Sequence, residues 1–549
     1  MNAPSRPPSA PHDTPWWHDA VVYQVYPRSF QDTNGDGVGD LAGVTARADH
    51  FKRLGVDAVW VSPFYPSPMK DFGYDVADFT AVDPRFGTMA DFDAMAAALR
   101  ERGLRLLLDF VPAHTSDRHP WFEDSACARD APKRDWYVWR DPGPEGGPPN
   151  NWLSEFGGPA WTFHEGTAQY YFHSFLPSQP SLDWRNPAVR AAMLDAMRFW
   201  YDRGVDGFRV DAFEVIVADA LFRDNPPNPQ WREGMDPARA VLGTRTRHLP
   251  EALDVARDMR AAAEEYDPPR LLVGEVYGEL DEIVRYYGAQ APDGIADGAT
   301  DGATDGPVRA TPGGFQLPFN FALITAEWTA PALAALVERY ESLLPPGAWP
   351  NWVLGNHDRA RIASRVGRER ARLATMLLLT LRGTPTIFQG DELAMENAPI
   401  PPDRVRDPWE LNVPGRGLGR DPVRTPIPWE AGPGAGFTTG EPWLPIAVPP
   451  EGPAAAQEAG DTMLRFTRAL LGLRRQETPL RRGSYRTVGS ADDVFLYERA
   501  HGDRTLRIAL NLGERPRSVP VSGPALLRTH ANAPDEATLR PGEGAIFVA

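Results

Sequence analysis

Cysteine is almost absent from this chain: among 549 residues there is only Cys127. A single cysteine cannot form a disulfide within the chain, so the expected location is a reducing, cytoplasmic compartment. Long hydrophobic runs are missing as well. The longest, Met376–Leu381, is far shorter than the roughly 20 residues that span a bilayer. The N-terminal segment Met1–Pro15 has no cationic start followed by an apolar stretch, so no secretory signal peptide is predicted.

Positive charge is in deficit. Lysine and arginine number 57 against 74 aspartates and glutamates, which leaves a net charge of −17 and a pI near 5.2. This balance argues against nucleic acid as a partner, because phosphate backbones attract basic surfaces. Aromatic residues are plentiful, with 17 tryptophans and 15 tyrosines. Their rings are platforms for the apolar faces of sugars, although ordinary packing accounts for most of them.

Strand-like apolar runs alternate with helical segments along most of the chain. Eight such runs predict a (β/α)8 barrel, with the first at 20–27, the sixth at 318–323, the seventh at 352–358 and the last at 384–389. The irregular block at 113–183 is too long for a normal loop, so it predicts an inserted domain. The expected organisation is therefore a barrel in two parts, 1–112 and 184–473, the inserted domain at 113–183, and an antiparallel C-terminal β-domain at 474–549. The low-complexity repeat DGATDGATDG within 291–307 predicts a mobile loop.

Three of the strand-like runs end in a carboxylate. GFRVDA contains Asp211, LLVGE ends at Glu275, and GNHD ends at Asp358. The carboxyl ends of the strands of a parallel barrel meet at one face, so these acids are expected to converge on one pocket. A pair of such acids is the arrangement that glycoside hydrolysis needs.

Several motifs in a fixed order make the chain recognisable: SFQDTNGDGVGDL, DFGYD, DFVPAHTS, QPSLDW, GFRVDA, VGEVY, GNHD, GTPTIFQGDE and GRDPVRTPIPW. Together they resemble the α-amylase superfamily of glycoside hydrolases, in its α-glucosidase and oligo-1,6-glucosidase branch. The resemblance extends from Trp16 to about Arg482. It implies an exo-acting, retaining α-glucosidase that releases glucose from the non-reducing end of short α-glucosides such as maltose, sucrose and malto-oligosaccharides.

The resemblance also implies catalytic roles. Asp211 matches the nucleophile of the family, Glu275 the acid/base, and Asp358 the third carboxylate, which binds sugar hydroxyls. Arg209 lies two residues before Asp211, so on a strand both side chains share a face, and the arginine is expected to lower the pKa of Asp211. A purely structural ion pair in the barrel is the alternative for these two residues.

Other matches imply a substrate pocket that holds one terminal glucosyl unit. Asp71, Tyr74 and Arg420 match contacts to that unit and close the pocket at the non-reducing end. His114 and His357 match groups that hold its hydroxyls. Ala212, beside the nucleophile, predicts a bias towards α-1,4 over α-1,6 linkages that Ala212→Val would narrow. Residues expected nearer the leaving group are Phe175 and Gln179.

The segment Asp32–Asp40 places oxygen ligands at alternate positions, with Gly37 sixth, as a tight Ca²⁺ loop requires. The expected ligands of this structural cation are Asp32, Asn34, Asp36, the Val38 carbonyl and Asp40. The twelfth position is Gly43 instead of Glu, so the loop is not an EF-hand. A turn with solvated acids is the alternative, and Mg²⁺ stays open beside Ca²⁺.

Two competing functions differ in class. A sucrose- or trehalose-converting glucosyltransferase or isomerase has the same three acids but transfers glucose to another acceptor. A non-catalytic barrel protein that accompanies a transporter has a membrane segment and often lacks the acids, so it is disfavoured here. The expected partner is a small-molecule α-glucoside. No organic cofactor is needed. The sequence leaves the oligomeric state open.

Overall fold

The computed structural model describes residues 14–288, 313–491, 493–521, 523–530 and 537–549. The loop predicted at 291–307 lies outside the described residues. No helix of the described part is both long and apolar enough to cross a membrane. The strands are β1 (Val22–Val25), β2 (Ala58–Val61), β3 (Arg105–Phe110), β4 (Trp139–Arg140), β5 (Trp161–His164), β6 (Gln169–Phe172), β7 (Gly207–Val210), β8 (Leu271–Gly274), β9 (Leu317–Pro318), β10 (Asn351–Val353), β11 (Thr384–Phe388), β12 (Ser484–Gly489), β13 (Val494–His501), β14 (Arg504–Asn511), β15 (Arg517–Ser518), β16 (Leu527–Arg528), β17 (Thr538–Leu539) and β18 (Gly544–Val548).

One parallel sheet of eight strands, in the order β10-β11-β1-β2-β3-β7-β8-β9, forms the centre of the molecule. Most of its residues are buried, as their near-continuous apolar character requires when both faces of a sheet are covered. The predicted (β/α)8 barrel is confirmed. Within the described residues the ladder is open between β9 and β10, so the barrel is nearly closed.

Two barrel strands are shorter than predicted. The sixth, expected at 318–323, is only β9, because the Asn320 side chain accepts the Ala322 N–H and a short helix begins there. The seventh, expected at 352–358, ends at Val353. The residues beyond it are released from the ladder and reach the pocket instead.

Helices surround the strands, and their ends follow capping rules. The Thr88 and Asp91 side chains form a capping box at the start of the helix at 89–101, and Asn186 caps the helix at 187–202. The α-helices are α1 (Trp16–Asp19), α2 (Leu41–Ala46), α3 (Ala48–Leu54), α4 (Met89–Glu101), α5 (Pro120–Cys127), α6 (Pro187–Asp202), α7 (Glu251–Glu264), α8 (Leu280–Ile283), α9 (Ala322–Thr325), α10 (Ala330–Leu343), α11 (Ile362–Val366), α12 (Ala371–Thr380), α13 (Pro408–Asn412), α14 (Met463–Gln476) and α15 (Thr478–Arg482).

A small antiparallel sheet in the order β4-β6-β5 stands between β3 and β7, inside the block predicted as an insertion. Aromatic rings pack against this sheet: Phe122 is stacked on Trp139 of β4, with 5.7 Å between the ring centroids. The C-terminal part is an antiparallel sheet in the order β12-β13-β14-β18-β16, with a separate pair β15–β17. It packs on the barrel through α12, where the Arg499 guanidinium donates to the Thr380 carbonyl at 2.6 Å.

Candidate active site

A pocket opens at the carboxyl ends of the barrel strands. The segments after β2, β3, β7, β8 and β10 each contribute to it, which places polar side chains from distant parts of the chain around one space. Its wall is completed by residues of the inserted block and of the chain after β11. The lining residues are Asp71, Tyr74, His114, Glu155, Phe156, Phe175, Asp211, Ala212, Glu214, Arg239, Arg247, Glu275, Tyr277, His357, Asp358, Arg359, Trp409 and Arg420.

Arg209 lies beneath this pocket and is 1% exposed. Its Nη1 donates to Asp211 Oδ1 at 2.6 Å, and its Nη2 lies 2.5 Å from Glu275 Oε1. The second oxygen of Glu275 accepts the Ala212 N–H at 2.8 Å. The two acids predicted to react are therefore held by neighbouring nitrogens of one guanidinium. The sequence predicted the first of these contacts and had no signal for the second.

Burial dominates the protonation of both acids. It raises the pKa of Asp211 to about 7, against the opposing charge of Arg209 and with help from Asp109 and Asp358. It likewise raises the pKa of Glu275 to about 7, with Arg209 opposing and Asp211 assisting. Arg209 does lower the pKa of Asp211, as predicted, but burial outweighs its effect and the net shift is upward. One cation shared among several buried acids does not offset their desolvation.

Asp358 is in the opposite electrostatic state. Burial works against its charge, but His357, Arg424 and Arg420 hold its pKa well below the usual range. Its Oδ1 accepts from Arg424 at 2.7 Å and from Arg420 at 3.3 Å, and its Oδ2 lies 3.2 Å from His357 Nε2. Burial lowers the pKa of His357 well below its ordinary value, so the imidazole is neutral. Asp358 is consequently a fixed anion in the pocket wall.

The end of the pocket predicted to receive the terminal glucosyl unit is blocked by an ion pair. Arg420 Nη2 donates to Asp71 Oδ1 at 2.7 Å and to Asp407 Oδ1 at 2.7 Å. Gln179 donates to the other oxygen of Asp71 at 3.2 Å and lies 3.1 Å from His114 Nε2. Gln179 is fully buried behind Asp71 and His114, so it supports that end of the pocket. Sequence reasoning had expected it nearer the leaving group.

The remaining predicted substrate residues also meet here. The Tyr74 ring lies parallel to His357 at 5.3 Å and is bonded through its hydroxyl to Asp109 at 3.0 Å. Its backbone carbonyl lies 2.9 Å from His114 Nε2. Phe175 packs edge-on against His114 at 5.3 Å and lines the pocket. Ala212 has a left-handed backbone, with φ of 42°.

Several residues that sequence reasoning passed over also belong to the site. Asp109 is the last residue but one of β3 and bonds to Arg209 at 2.7 Å; an acid near the end of the run LRLLLDF was the available signal. Arg424 lies four residues after Arg420 in the motif GRDPVRTP. Glu214 and Glu155 share Arg247, which bonds to Glu214 at 3.1 Å and also pairs with Glu155. No sequence signal could link those three, since they come from separate loops.

The predicted cation loop folds as a series of tight turns. Asp32 accepts the N–H groups of Asn34, Gly35 and Gly37 at 2.8–3.0 Å, and Asp36 accepts that of Val38 at 2.8 Å. Asp40 caps α2 by accepting the Gly43 N–H at 2.6 Å. In the part of the chain that the structure describes, no three His, Cys, Asp or Glu side chains form a group that could hold a metal ion. The all-oxygen donor set suits a hard cation, but these hydrogen bonds occupy most of the carboxylate lone pairs.

Comparison with known proteins gives a consistent result. The family model described as the catalytic domain of alpha amylase matches residues 24–483, and a model described as a domain of unknown function (DUF3459) matches residues 481–548. A probable alpha-glucosidase of Rhizobium meliloti is 40% identical over 518 residues, covering 91% of this chain and 90% of that protein. An oligo-1,6-glucosidase of Parageobacillus thermoglucosidasius is 34% identical, with 91% of each chain covered.

Solved structures agree with these relatives. The alpha-glucosyl transfer enzyme XgtA has a TM-score of 0.87 at 37% identity, covering 98% of this chain and 100% of that chain. The trehalulose synthase MutB from Pseudomonas mesoacidophila has a TM-score of 0.85 at 32% identity with the same coverage. Since the catalytic-domain model spans most of the chain and the barrel carries the acids at its strand ends, this chain belongs to the α-amylase family of glycoside hydrolases.

Proposed function

We propose that this enzyme is an exo-acting, retaining α-glucosidase that removes single glucosyl units from short α-glucosides. The observation that carries the proposal is the shared guanidinium of Arg209, which holds Asp211 and Glu275 on neighbouring nitrogens beneath a pocket blocked at one end. Retaining glycosidases need their two carboxyl groups about 5–5.5 Å apart, whereas inverting enzymes need room for a water between them. Attachment to adjacent nitrogens of one group favours the shorter separation.

In this mechanism Glu275, protonated in its buried position, gives its proton to the leaving oxygen while Asp211 attacks the anomeric carbon. The glycosidic bond breaks, and a β-glucosyl ester forms on Asp211. Glu275, now ionised, takes a proton from water, which attacks the same carbon and releases α-glucose. Asp358 stays ionised throughout and binds hydroxyls of the reacting ring, where hydrogen bonds strengthen as the ring flattens towards the transition state.

The proposed exo-action rests on the pair Asp71–Arg420. Arg420 is tied to Asp407 as well as to Asp71, and all three are buried, so this end of the pocket resists opening. A substrate can then enter only with its non-reducing end first, and one glucosyl unit fills the space between Tyr74 and the reacting acids. Internal cleavage of starch is not expected.

Glucosyl transfer is the second candidate, because similarity to the alpha-glucosyl transfer enzyme XgtA and the trehalulose synthase MutB supports it. Hydrolysis and glucosyl transfer share every step up to the formation of the glucosyl-enzyme intermediate. The outcome depends on whether water or a sugar hydroxyl reaches the intermediate. We propose hydrolysis as the main reaction, since the relatives compared by sequence include alpha-glucosidases and an oligo-1,6-glucosidase.

Three further features belong to this proposal. The loop at 32–40 binds a structural Ca²⁺ through its oxygen ligands, and the turn hydrogen bonds rearrange around the ion. Mg²⁺ is the alternative cation. The enzyme acts in the cytoplasm, as its single cysteine favours. The domain limits at 112/113, 183/184 and 473/474 also remain proposals.

The test is an activity panel on maltose, isomaltose, sucrose, trehalose and starch, with the anomer of the product followed by NMR. We expect α-glucose as the first product from maltose and maltotriose, little activity on starch, and none in Asp211→Ala. A β-anomer would contradict retention, and early release of maltotriose or longer fragments from starch would contradict exo-action. Isomerised disaccharide as the main product from sucrose would favour the second candidate.

A further inference from the structure

Four charged side chains that line the pocket have no part in the mechanism proposed above. Glu214, Arg247, Glu155 and Arg239 form a row in which each member contacts the next. Arg247 Nη1 lies 3.1 Å from Glu214 Oε1, and its other terminal nitrogen pairs with Glu155. Arg239 Nη2 lies 3.8 Å from the second oxygen of Glu155. These four residues are called the charged row below.

The charged row runs from the inner part of the pocket to its mouth. Exposure of the side chain rises along it, from 5% at Glu214 through 16% at Arg247 and 20% at Glu155 to 50% at Arg239. The inner member is next to the reacting acids, because the residue before Glu214 donates its backbone N–H to the Glu275 carbonyl at 3.0 Å. Arg239 therefore stands where the pocket meets solvent.

The mouth is the place that the leaving group of the substrate has to occupy. Asp71 and Arg420 close the opposite end, so the terminal glucosyl unit fills the inner space and the rest of the substrate extends outwards. In short α-glucosides that rest is a second sugar, which carries neutral hydroxyl groups on neighbouring carbons. A planar guanidinium, with its forked N–H groups, can donate to two neighbouring oxygens at once.

Arg239 is free to make this contact, whereas Arg247 is not. Both terminal nitrogens of Arg247 are engaged by carboxylates of the charged row. Arg239 lies 3.8 Å from Glu155 and 3.8 Å from Asp236, beyond hydrogen-bond distance, and its guanidinium makes no hydrogen bond to any residue that the structure describes. Since Glu155 keeps its pairing with Arg247, turning Arg239 towards a ligand breaks no strong contact.

We propose that Arg239 is a specificity-determining residue that binds the leaving group, by donating to neighbouring hydroxyl groups of a sugar at the pocket mouth. The inference rests on the proposed function and names the leaving-group chemistry of the same site: a sugar is favoured over an aglycone without hydroxyl groups. The contact lies outside the reacting ring, so the chemistry at Asp211 and Glu275 does not depend on it.

Arg239→Gln tests this inference in the full-length enzyme, with maltose and phenyl α-glucoside compared side by side. The leaving group of maltose carries several hydroxyl groups, whereas phenol has only the oxygen of the broken bond. Loss of a hydrogen bond from a charged donor should lower kcat/KM for maltose by about tenfold or more, and kcat/KM for phenyl α-glucoside by less than about threefold. An equal loss on both substrates, or no loss on maltose, would overturn the proposal.

Arg232→Gln is the matched control. Arg232 is exposed in the same segment between β7 and α7, but it donates to the Pro229 and Trp231 carbonyls and is not among the residues that line the pocket. This variant should leave the ratio of the two kcat/KM values unchanged. A shift as large as that of Arg239→Gln would show that the whole segment sets the preference, and would overturn the role of Arg239. A wild-type enzyme that cleaves neither substrate would instead refute the proposed function, and with it this inference.

Discussion

At the scale of single residues, Ala212 shows how backbone geometry changes the meaning of a side chain. Its left-handed φ of 42° turns its N–H towards Glu275, to which it donates at 2.8 Å. The residue therefore borders the pocket and also holds one oxygen of the proposed acid. A β-branched side chain is strongly disfavoured in this region of backbone conformation. The sequence by itself predicts only an influence of Ala212 on linkage preference.

This geometry alters the expected effect of Ala212→Val. Backbone strain of about 1–3 kcal/mol should displace the N–H from Glu275 and lower kcat on both maltose and isomaltose by about tenfold or more. Any narrowing of the preference for maltose would appear on top of that loss. Ala212→Gly is the matched control, because glycine adopts positive φ without strain and should keep kcat near that of the wild type. Wild-type kcat from Ala212→Val would show that the N–H contact is dispensable.

At the scale of elements, the loop at 32–40 is built by side chains that accept N–H groups of their own loop. Asp32 is the anchor, with its two carboxylate oxygens accepting three backbone N–H groups and the Thr438 hydroxyl. The loop is thereby tied to the segment after β11, and Asp40 starts α2. Such a network stabilises the turn without an ion, so a bound cation has to compete with it.

The calcium proposal predicts a lower melting temperature in excess chelator, because binding to the folded state alone stabilises it by mass action. Activity measured at low temperature should change little. Asp36→Ala should make the melting temperature insensitive to chelator, because it removes a proposed ligand. The turn itself should persist, since the exposed Asp36 side chain makes just one of the turn contacts. Asp40→Ala provides the contrast: Asp40 is both a proposed ligand and the cap of α2, so this variant should lose about 1 kcal/mol of stability even in excess chelator. If excess chelator left the melting temperature of the wild type unchanged, as expected for Asp36→Ala, the proposed cation site would be refuted.

At the scale of the whole molecule, the buried acids of the pocket oppose folding. Burial raises the pKa of Glu275 to about 7 in the folded protein, whereas an unfolded chain releases this proton near pH 4.5. The folded state thus binds the proton more tightly. The associated stability is complete below the unfolded pKa and is lost as pH rises from about 4.5 to about 7. Above that range the protein carries the full cost of a buried charge.

Glu275→Gln should therefore raise stability most at high pH. We expect a gain of about 1–3 kcal/mol at pH 8, measured by denaturant unfolding, and a smaller gain near pH 4.5. Glu498→Gln in β13 is the matched control with the opposite sign. Burial disfavours the Glu498 charge, but Arg507 and Arg486 hold its pKa below the ordinary value. That variant should lose stability at pH 8. If Glu275→Gln and Glu498→Gln changed the free energy of unfolding at pH 8 by the same amount, the raised pKa of Glu275 would be contradicted.

Periodicity and motif order are local properties of the chain, and they were sufficient to predict the barrel, the antiparallel C-terminal sheet and the family. They also predicted that Asp211, Glu275 and Asp358 meet at one face, because a parallel barrel brings the carboxyl ends of its strands together. Asp358 reaches that face from the segment after β10, which ends at Val353. The short β9 escaped prediction, since a side-chain contact at Asn320 ends it early.

The electrostatics of the pocket depended on contacts between residues distant in the chain. The sequence predicts Arg209 as the partner of Asp211 alone. In the structure it also binds Asp109, 100 residues away, and Glu275, the residue after β8. Arg420 likewise meets Asp71 across 349 positions. Charge, burial and hydrogen bonding act through space, so protonation states follow from the assembled barrel, whereas the strands that build it follow from the local order of residues.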